Sequence, residues 1–289
     1  MRIGNKFGRG RPVFSFEFFP PKTDEGAHQL MRTVASLKKA MAPDFISVTY
    51  GAGGSTRERT LDVVARVQKE LSLTSMAHLT CVGSSQAEIE HTVGLLRKKG
   101  IENVLGLRGD LPKAAPGTEP APQHFAYASE LIEFVKAQFD VDVGGACYPE
   151  RHPESSDKRT DLEWTVHKVK KGADFLITQL FFDNRDYFQF VERARDAGVR
   201  VPIVPGIMPI TNVSQIERFT KMCGASIPHG LLENLREEAD DPAAVMAIGI
   251  EHAIRQCRGL LEAGAPGIHF YTLNKSHATR SVLAAIKRF

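Results

Sequence analysis

The sequence predicts an α/β fold, a (β/α)8 or TIM barrel, on three observations. Short β-rich runs alternate with amphipathic helical stretches along the whole chain, which is the pattern of a parallel sheet. There are eight such strand–helix units, enough to close the sheet on itself. Glycine follows four of the helical stretches, at Gly100, Gly172, Gly198 and Gly264, where a left-handed cap is wanted before the next strand. The 289 residues are near the usual size of one such barrel, roughly 250. A single domain over 1–289 is expected.

The first strand is expected at 13–19 (VFSFEFF). Its side chains alternate, with Phe14, Phe16 and Phe18 on one face and Ser15, Glu17 and Phe19 on the other. The all-Phe face suits packing against helices, so Glu17 is predicted to point into the barrel. Further strands are expected at 44–50 (DFISVTY), 76–81 (MAHLTC), 103–108 (NVLGLR), 142–148 (DVGGACY), 174–180 (DFLITQL), 201–205 (VPIVP) and 267–272 (GIHFYT). Helices are expected over 26–41, 57–71, 85–99, 125–139, 160–172, 184–197, 240–263 and 277–287. Extra helices are expected within 211–240, between the seventh and eighth strands. Two loops are long, 110–123, rich in Pro and Ala, and 150–159.

Composition narrows the function classes. Hydrophobic residues make up 42% and charged residues 25%, as in an ordinary globular protein, and the net charge of +3 is spread along the chain. The basic run Arg2, Lys6, Arg9, Arg11 has no interleaved aromatics. It reads as a solvated tail rather than a nucleic-acid site. No apolar stretch approaches the ~20 residues of a membrane helix, and residues 1–12 lack an apolar signal core. Cys81, Cys147, Cys223 and Cys257 are far apart and form no C-x-x-C pair, so reduced thiols in a cytoplasmic protein are expected. The histidines form no H-E-x-x-H, and no metal site is expected.

Barrel enzymes carry their sites at the C-terminal ends of the strands. There the chain places Glu17 and Phe19; Thr49 and Tyr50; His78 and Thr80; Arg108, Gly109 and Asp110; Tyr148, Glu150, Arg151 and His152; Thr178 and Gln179; Tyr271, Thr272, Asn274 and Lys275. Desolvation inside the barrel is expected to raise the pKa of Glu17 and fit it for general-acid work. A structural Glu paired with a barrel Arg or Lys is equally open on alternation alone. Arg108 offers a cation to a phosphate or polarised ring, and Gly109 permits close backbone approach. The alternative, an internal Arg108–Asp110 ion pair, is the less favoured reading. GAGGS at 51–55 is either a loose phosphate nest or a plain turn. His78, Tyr50, Phe181, Phe182 and Tyr271 are either core residues or the walls of a flat-ligand site.

Taken together, FSFEFFPPK, VTYGAGGSTRERT, AHLTC, LRGDLP, ACYPERHPE, ITQLFFD, PGIMP and HFYTLN resemble, in order and spacing, the methylenetetrahydrofolate reductase family, in its short bacterial form with the catalytic domain only. The resemblance runs from Phe14 to about Lys275. It implies a flavin-dependent barrel that passes a hydride by a ping-pong route from NADH or NADPH, through FAD, to 5,10-methylenetetrahydrofolate, giving 5-methyltetrahydrofolate. The family's catalytic glutamate matches Glu17, as general acid at folate N10, and the LRGD aspartate matches Asp110, beside flavin and folate. The flavin contacts match Thr49, Tyr50, Ala52, His78, Arg108, Gly109, Asp110, Ala128, Tyr148, His152, Asp161 and Lys168. The folate contacts match Gln179, Gln215, Phe219 and Lys275, the last often Arg in the family. Small-molecule partners alone, with no nucleic acid and no membrane, and a homo-oligomer are expected.

Overall fold

The alternation of the first strand carries directly into the computed structural model, which describes residues 1–50, 54–110 and 124–287. Strand β1 (Val13–Phe18) sends Phe14, Phe16 and Phe18 outward into the layer between sheet and helices. Val13 points inward to a second cluster with Phe45, Met76, Leu105, Phe175, Ile177 and Val204. Around β1 run β2 (Phe45–Val48), β3 (Ser75–Thr80), β4 (Asn103–Leu107), β5 (Asp142–Cys147), β6 (Phe175–Thr178), β7 (Ile203–Val204), β8 (Gly206–Ile207) and β9 (Gly267–Tyr271), all pairing in parallel. The strand order is β7-β6-β5-β4-β3-β2-β1-β9-β8.

Beta7 and β8 are two halves of one stave, so the sheet closes as a (β/α)8 barrel. Beta7 pairs with β6 and β8 with β9. Pro205 separates them because it has no N–H to give a ladder, though its carbonyl accepts from His269 N at 2.9 Å. The seventh strand therefore lies about two residues later than the 201–205 expected from sequence.

Helices α1 (Asp24–Met41), α2 (Gly54–Leu71), α3 (Gln86–Lys98), α4 (Ala128–Gln138), α5 (Lys158–Lys170), α6 (Asn184–Asp196), α9 (Pro242–Glu262) and α10 (Ser276–Ile286) form the outer layer. The extra helices expected between the last two staves are α7 (Val213–Cys223) and α8 (His229–Glu237). The four predicted cap glycines all take positive φ: Gly100 79°, Gly172 108°, Gly198 89° and Gly264 85°.

The N-terminal segment corrects the expected solvated tail. Ile3 is fully buried and joins the inner cluster at the N-terminal end of the barrel. Its N–H donates to Asn103 Oδ1 at 2.8 Å, and that of Gly4 donates to Asp142 Oδ2 at 2.7 Å. The Phe7 ring lies 5.9 Å from that of Phe175. Residues 3–7 plug the barrel floor, so Ile3→Ala is expected to destabilise the fold by about 2–4 kcal/mol. Denaturant melts check this: an unchanged midpoint would mean the plug is dispensable.

Candidate active site

At the opposite end, where the strands finish, a cavity of about 690 Å³ opens. Its floor holds Glu17, which side-chain alternation aims inward. Beta9 brings His269 and β3 brings His78 to the same carboxylate oxygen. His78 Nε2 lies 3.3 Å from Glu17 Oε2, off the axis of a hydrogen bond, and His269 Nε2 lies 3.5 Å away. The other nitrogen of His269 contacts Ser15 Oγ at 2.7 Å. A polar line Ser15–His269–Glu17–His78 thus joins β9, β1 and β3, the last reaching across β2.

This corrects the expected upward shift of Glu17. Burial is the largest influence and does push its pKa up, but His78 and His269 together outweigh it. The carboxyl is held at about 2, against an ordinary 4.5. Glu17 is an ionised carboxylate between two imidazoles, and its partners are histidines rather than a barrel Arg or Lys.

The wall formed by β4 and β5 carries cations. The Arg108 guanidinium makes a two-pronged pair with Glu154, at 2.5 and 2.7 Å, and not with Asp110. Gly109 has φ +87°, and a Cβ there would sit 3.0 Å from Thr80 Cβ, so the backbone turns sharply where only glycine fits easily. Asp110 is exposed at the rim. The Lys168 ammonium reaches in from α5 to donate to the Ala146 carbonyl. Burial pushes its pKa down, opposed by nearby charge including that of Asp161. Asp161 is buried behind it, and burial raises its carboxyl. Burial also takes the Tyr148 phenol to about 12, opposed by a hydrogen bond with Gln179. Tyr148 meets His152 edge-on at 4.7 Å.

On the far side Tyr271 donates to the Thr178 carbonyl at 2.6 Å, across the notch left by Gly206. Helix α7 presents Phe219, Met222 and Cys223 to the mouth.

The structure brings most of the sequence candidates together. Glu17, Thr49, Tyr50, His78, Arg108, Gly109, Asp110, Ala128, Tyr148, His152, Lys168, Gln179 and Phe219 all line this cavity. Asp161, Gln215 and Lys275 do not; Gln215 lies in the first turn of α7, and Lys275 is exposed just before α10. Ala52, with the rest of 51–53, lies outside the described residues. Phe181 and Phe182 are core residues, 1% and 3% exposed, so they are not stacking walls. Glu150 is taken up by the N–H and hydroxyl of Ser226 rather than by His152. His269 was not among the candidates. Its signal is present in GIHFYT, because a strand that turns Tyr271 inward also turns in the residue two before it.

A family model for methylenetetrahydrofolate reductase matches residues 2–287. The 5,10-methylenetetrahydrofolate reductase of Pectobacterium carotovorum is 34% identical over 274 residues, covering 95% of this chain and 90% of that protein. Methylenetetrahydrofolate reductase (NADH) 1 of Arabidopsis thaliana is 36% identical over 288 residues, 95% of this chain but 48% of its own length. The chain thus spans about half the length of that plant relative. Among solved structures, an uncharacterized Clostridium thermocellum protein that binds two copies of 5-methyl-5,6,7,8-tetrahydrofolic acid shares the fold, with TM-score 0.64 over 97% of this chain and 96% of that one, at 16% identity. With a family model matched almost end to end and a bacterial relative covered over nearly its full length, the chain belongs to the methylenetetrahydrofolate reductase family.

Proposed function

We propose that the chain reduces 5,10-methylenetetrahydrofolate to 5-methyltetrahydrofolate, with FAD as cofactor and NADH or NADPH as electron donor. The observation that carries this reading is a buried carboxylate between two imidazoles, at the floor of a cavity walled by aromatic rings and two cations. FAD fits that donor set. Arg108 and Lys168 offer charge to its diphosphate. The N-terminus of α4, at Ala128, turns its positive dipole end toward an anion, and Gly109 lets the backbone approach closely. Thr49, Tyr50, His78, Asp110, Tyr148 and His152 complete the proposed cofactor wall. Asp161 acts from behind by orienting Lys168, and the place of Ala52 in this wall rests on the family resemblance alone. When bound, FAD supplies the hydride store between nicotinamide and folate.

The chain's own residues do the rest. Gln179 and Phe219, both lining the cavity, are the proposed grips on a folate pterin and its aromatic linker. The substrate reading rests on these two rather than on Gln215 and Lys275, which lie outside the cavity lining. Glu17 is the proposed proton source for folate N10, but it does not hold that proton at rest. A flat ligand covering the carboxylate deepens the burial that already pushes its pKa upward. The Glu17 carboxyl then gains affinity for a proton, which it passes on to N10.

The test is direct. Purified protein is expected to take up FAD, to be reduced anaerobically by NADH or NADPH, and to be reoxidised by methylenetetrahydrofolate. Failure to take up flavin, or reoxidation by oxygen but not by folate, would overturn the reading. Arg108→Ala is expected to weaken FAD binding by roughly 10–100-fold, the worth of a charge-assisted contact. A flavin-fluorescence titration reads this, and an unaltered Kd would reject the phosphate role of Arg108.

A further inference from the structure

The catalytic strand ends at a place where ordinary sheet pairing has run out. The last register pair between β1 and β9 is Glu17 with Tyr271. Beyond it, the residues after β9 do not continue as a strand. Leu273 and Asn274 both take left-handed backbone, with φ 50° and 62°. That conformation is tolerable for Asn and costly for Leu. The turn folds the chain back so that, beyond one long backbone bond from Thr272 N–H to the Glu17 carbonyl at 3.4 Å, side chains meet the end of β1.

Three contacts result. Thr272 Oγ1 donates to the Glu17 carbonyl at 2.6 Å. Asn274 Oδ1 accepts from Phe19 N at 2.8 Å, and Asn274 Nδ2 donates to the Phe19 carbonyl at 3.1 Å. The amide of Asn274 takes both backbone groups of Phe19, as a neighbouring strand would. The same Asn274 is fixed through its own N–H, which donates to Thr272 Oγ1 at 3.1 Å. The segment so gripped carries the two things the mouth of the cavity presents from β1. One is the Glu17 carboxylate. The other is the Phe19 ring, 44% exposed at the cavity edge. Leu273, the strained member of the turn, lines the same cavity.

We propose that Asn274 is a positioning residue: by clamping the Phe19 backbone it aims both the Glu17 carboxylate and the Phe19 ring at the substrate, and Phe19 is an apolar contact for the aromatic part of that substrate. The inference rests on the folate-reductase reading of the site. The strained turn fits this role, because the backbone of Leu273 is held in a disfavoured region where the site needs the clamp.

The test uses the FAD-loaded full chain. Asn274→Gly keeps the left-handed backbone and removes both hydrogen bonds, so backbone strain is not confounded with loss of the clamp. It is expected to slow reoxidation by methylenetetrahydrofolate by roughly 10–100-fold, the scale of a small misplacement of a reacting group. It is also expected to weaken 5-methyltetrahydrofolate binding in calorimetry. Flavin content and the rate of reduction by NADH or NADPH stay as in the parent. Asn274→Asp, which tolerates the same backbone and keeps the acceptor for Phe19 N–H, is expected to fall between the two. Phe19→Leu is expected to weaken folate binding alone. The proposal is overturned if Asn274→Gly reoxidises with folate at the parent rate. It is also overturned if it loses flavin content and both half-reactions equally, the mark of general loosening. If the parent itself shows no folate half-reaction, the functional reading fails instead, and the two failures are told apart.

Discussion

Glu17→Gln is expected to retain bound FAD and its reduction by NADH or NADPH, and to lose folate reduction by roughly 10²–10⁴-fold, the usual worth of a general acid. The substitution is nearly isosteric, so the cavity keeps its shape. What changes is the capacity to carry a proton to a ligand above. Reduction by the nicotinamide asks for no acid at that position, so the two half-reactions should separate cleanly. Stopped-flow absorbance of each half-reaction is the measurement. Normal reoxidation by methylenetetrahydrofolate in Glu17→Gln would remove Glu17 from the chemistry and leave the buried trio a structural feature. The test is sharper for the position of the resting carboxylate, held near 2 by its two imidazoles. An isolated buried acid would store its own proton. Here the carboxylate is ionised at rest, and its removal breaks the line from Ser15 through His269 to His78.

Gly249→Ala is expected to cost about 3 kcal/mol of stability, at the upper end of what overpacking usually does. Helix α9 crosses the segment after β8 at this residue. A Cβ on Gly249 would stand 1.9 Å from the Ile210 carbonyl oxygen and 2.7 Å from its carbonyl carbon. Both are backbone atoms, so no rotamer change relieves the clash; the helix or the segment must move. Ile210 is 1% exposed and packs with Leu180, Phe182, Ile216, Leu235 and Val245, and Phe219 lies against that cluster. The displacement therefore reaches the wall of the cavity that α7 provides. For a chain of this size the expected drop in Tm is roughly 6–12 °C, with a rise in KM for folate and unchanged FAD affinity. A Tm within a degree of the parent would show that α9 sits further from Ile210 than the structure places it.

Much of the architecture was legible along the chain because its causes are local. The alternation in VFSFEFF aims Glu17 inward whatever else the chain does, and four glycines after helices mark where strands restart. The seventh stave was legible as a β-rich run but not in its register. Pro205 splits it, and the halves pair with β6 and β9, which lie on opposite sides. The expected solvated tail turned out to be a plug, because Ile3 finds its pocket against Asn103, 100 residues away. Phe181 and Phe182 gave no local sign of which face of the wall they would take.

The site divides in the same way. The sequence by itself determined the barrel, the inward carboxylate on its first strand and the collection of polar and aromatic groups at one end. Those follow from side-chain periodicity and turn chemistry, which act over a few residues. Only the tertiary structure decided what surrounds that carboxylate. Ser15 and His269 touch across 254 residues because β1 and β9 pair in one register. His78 arrives from β3 by the same closure. Hydrogen-bond registry between distant strands sets these contacts. It turns Glu17 from a group expected to be protonated by burial into an ionised partner of two histidines.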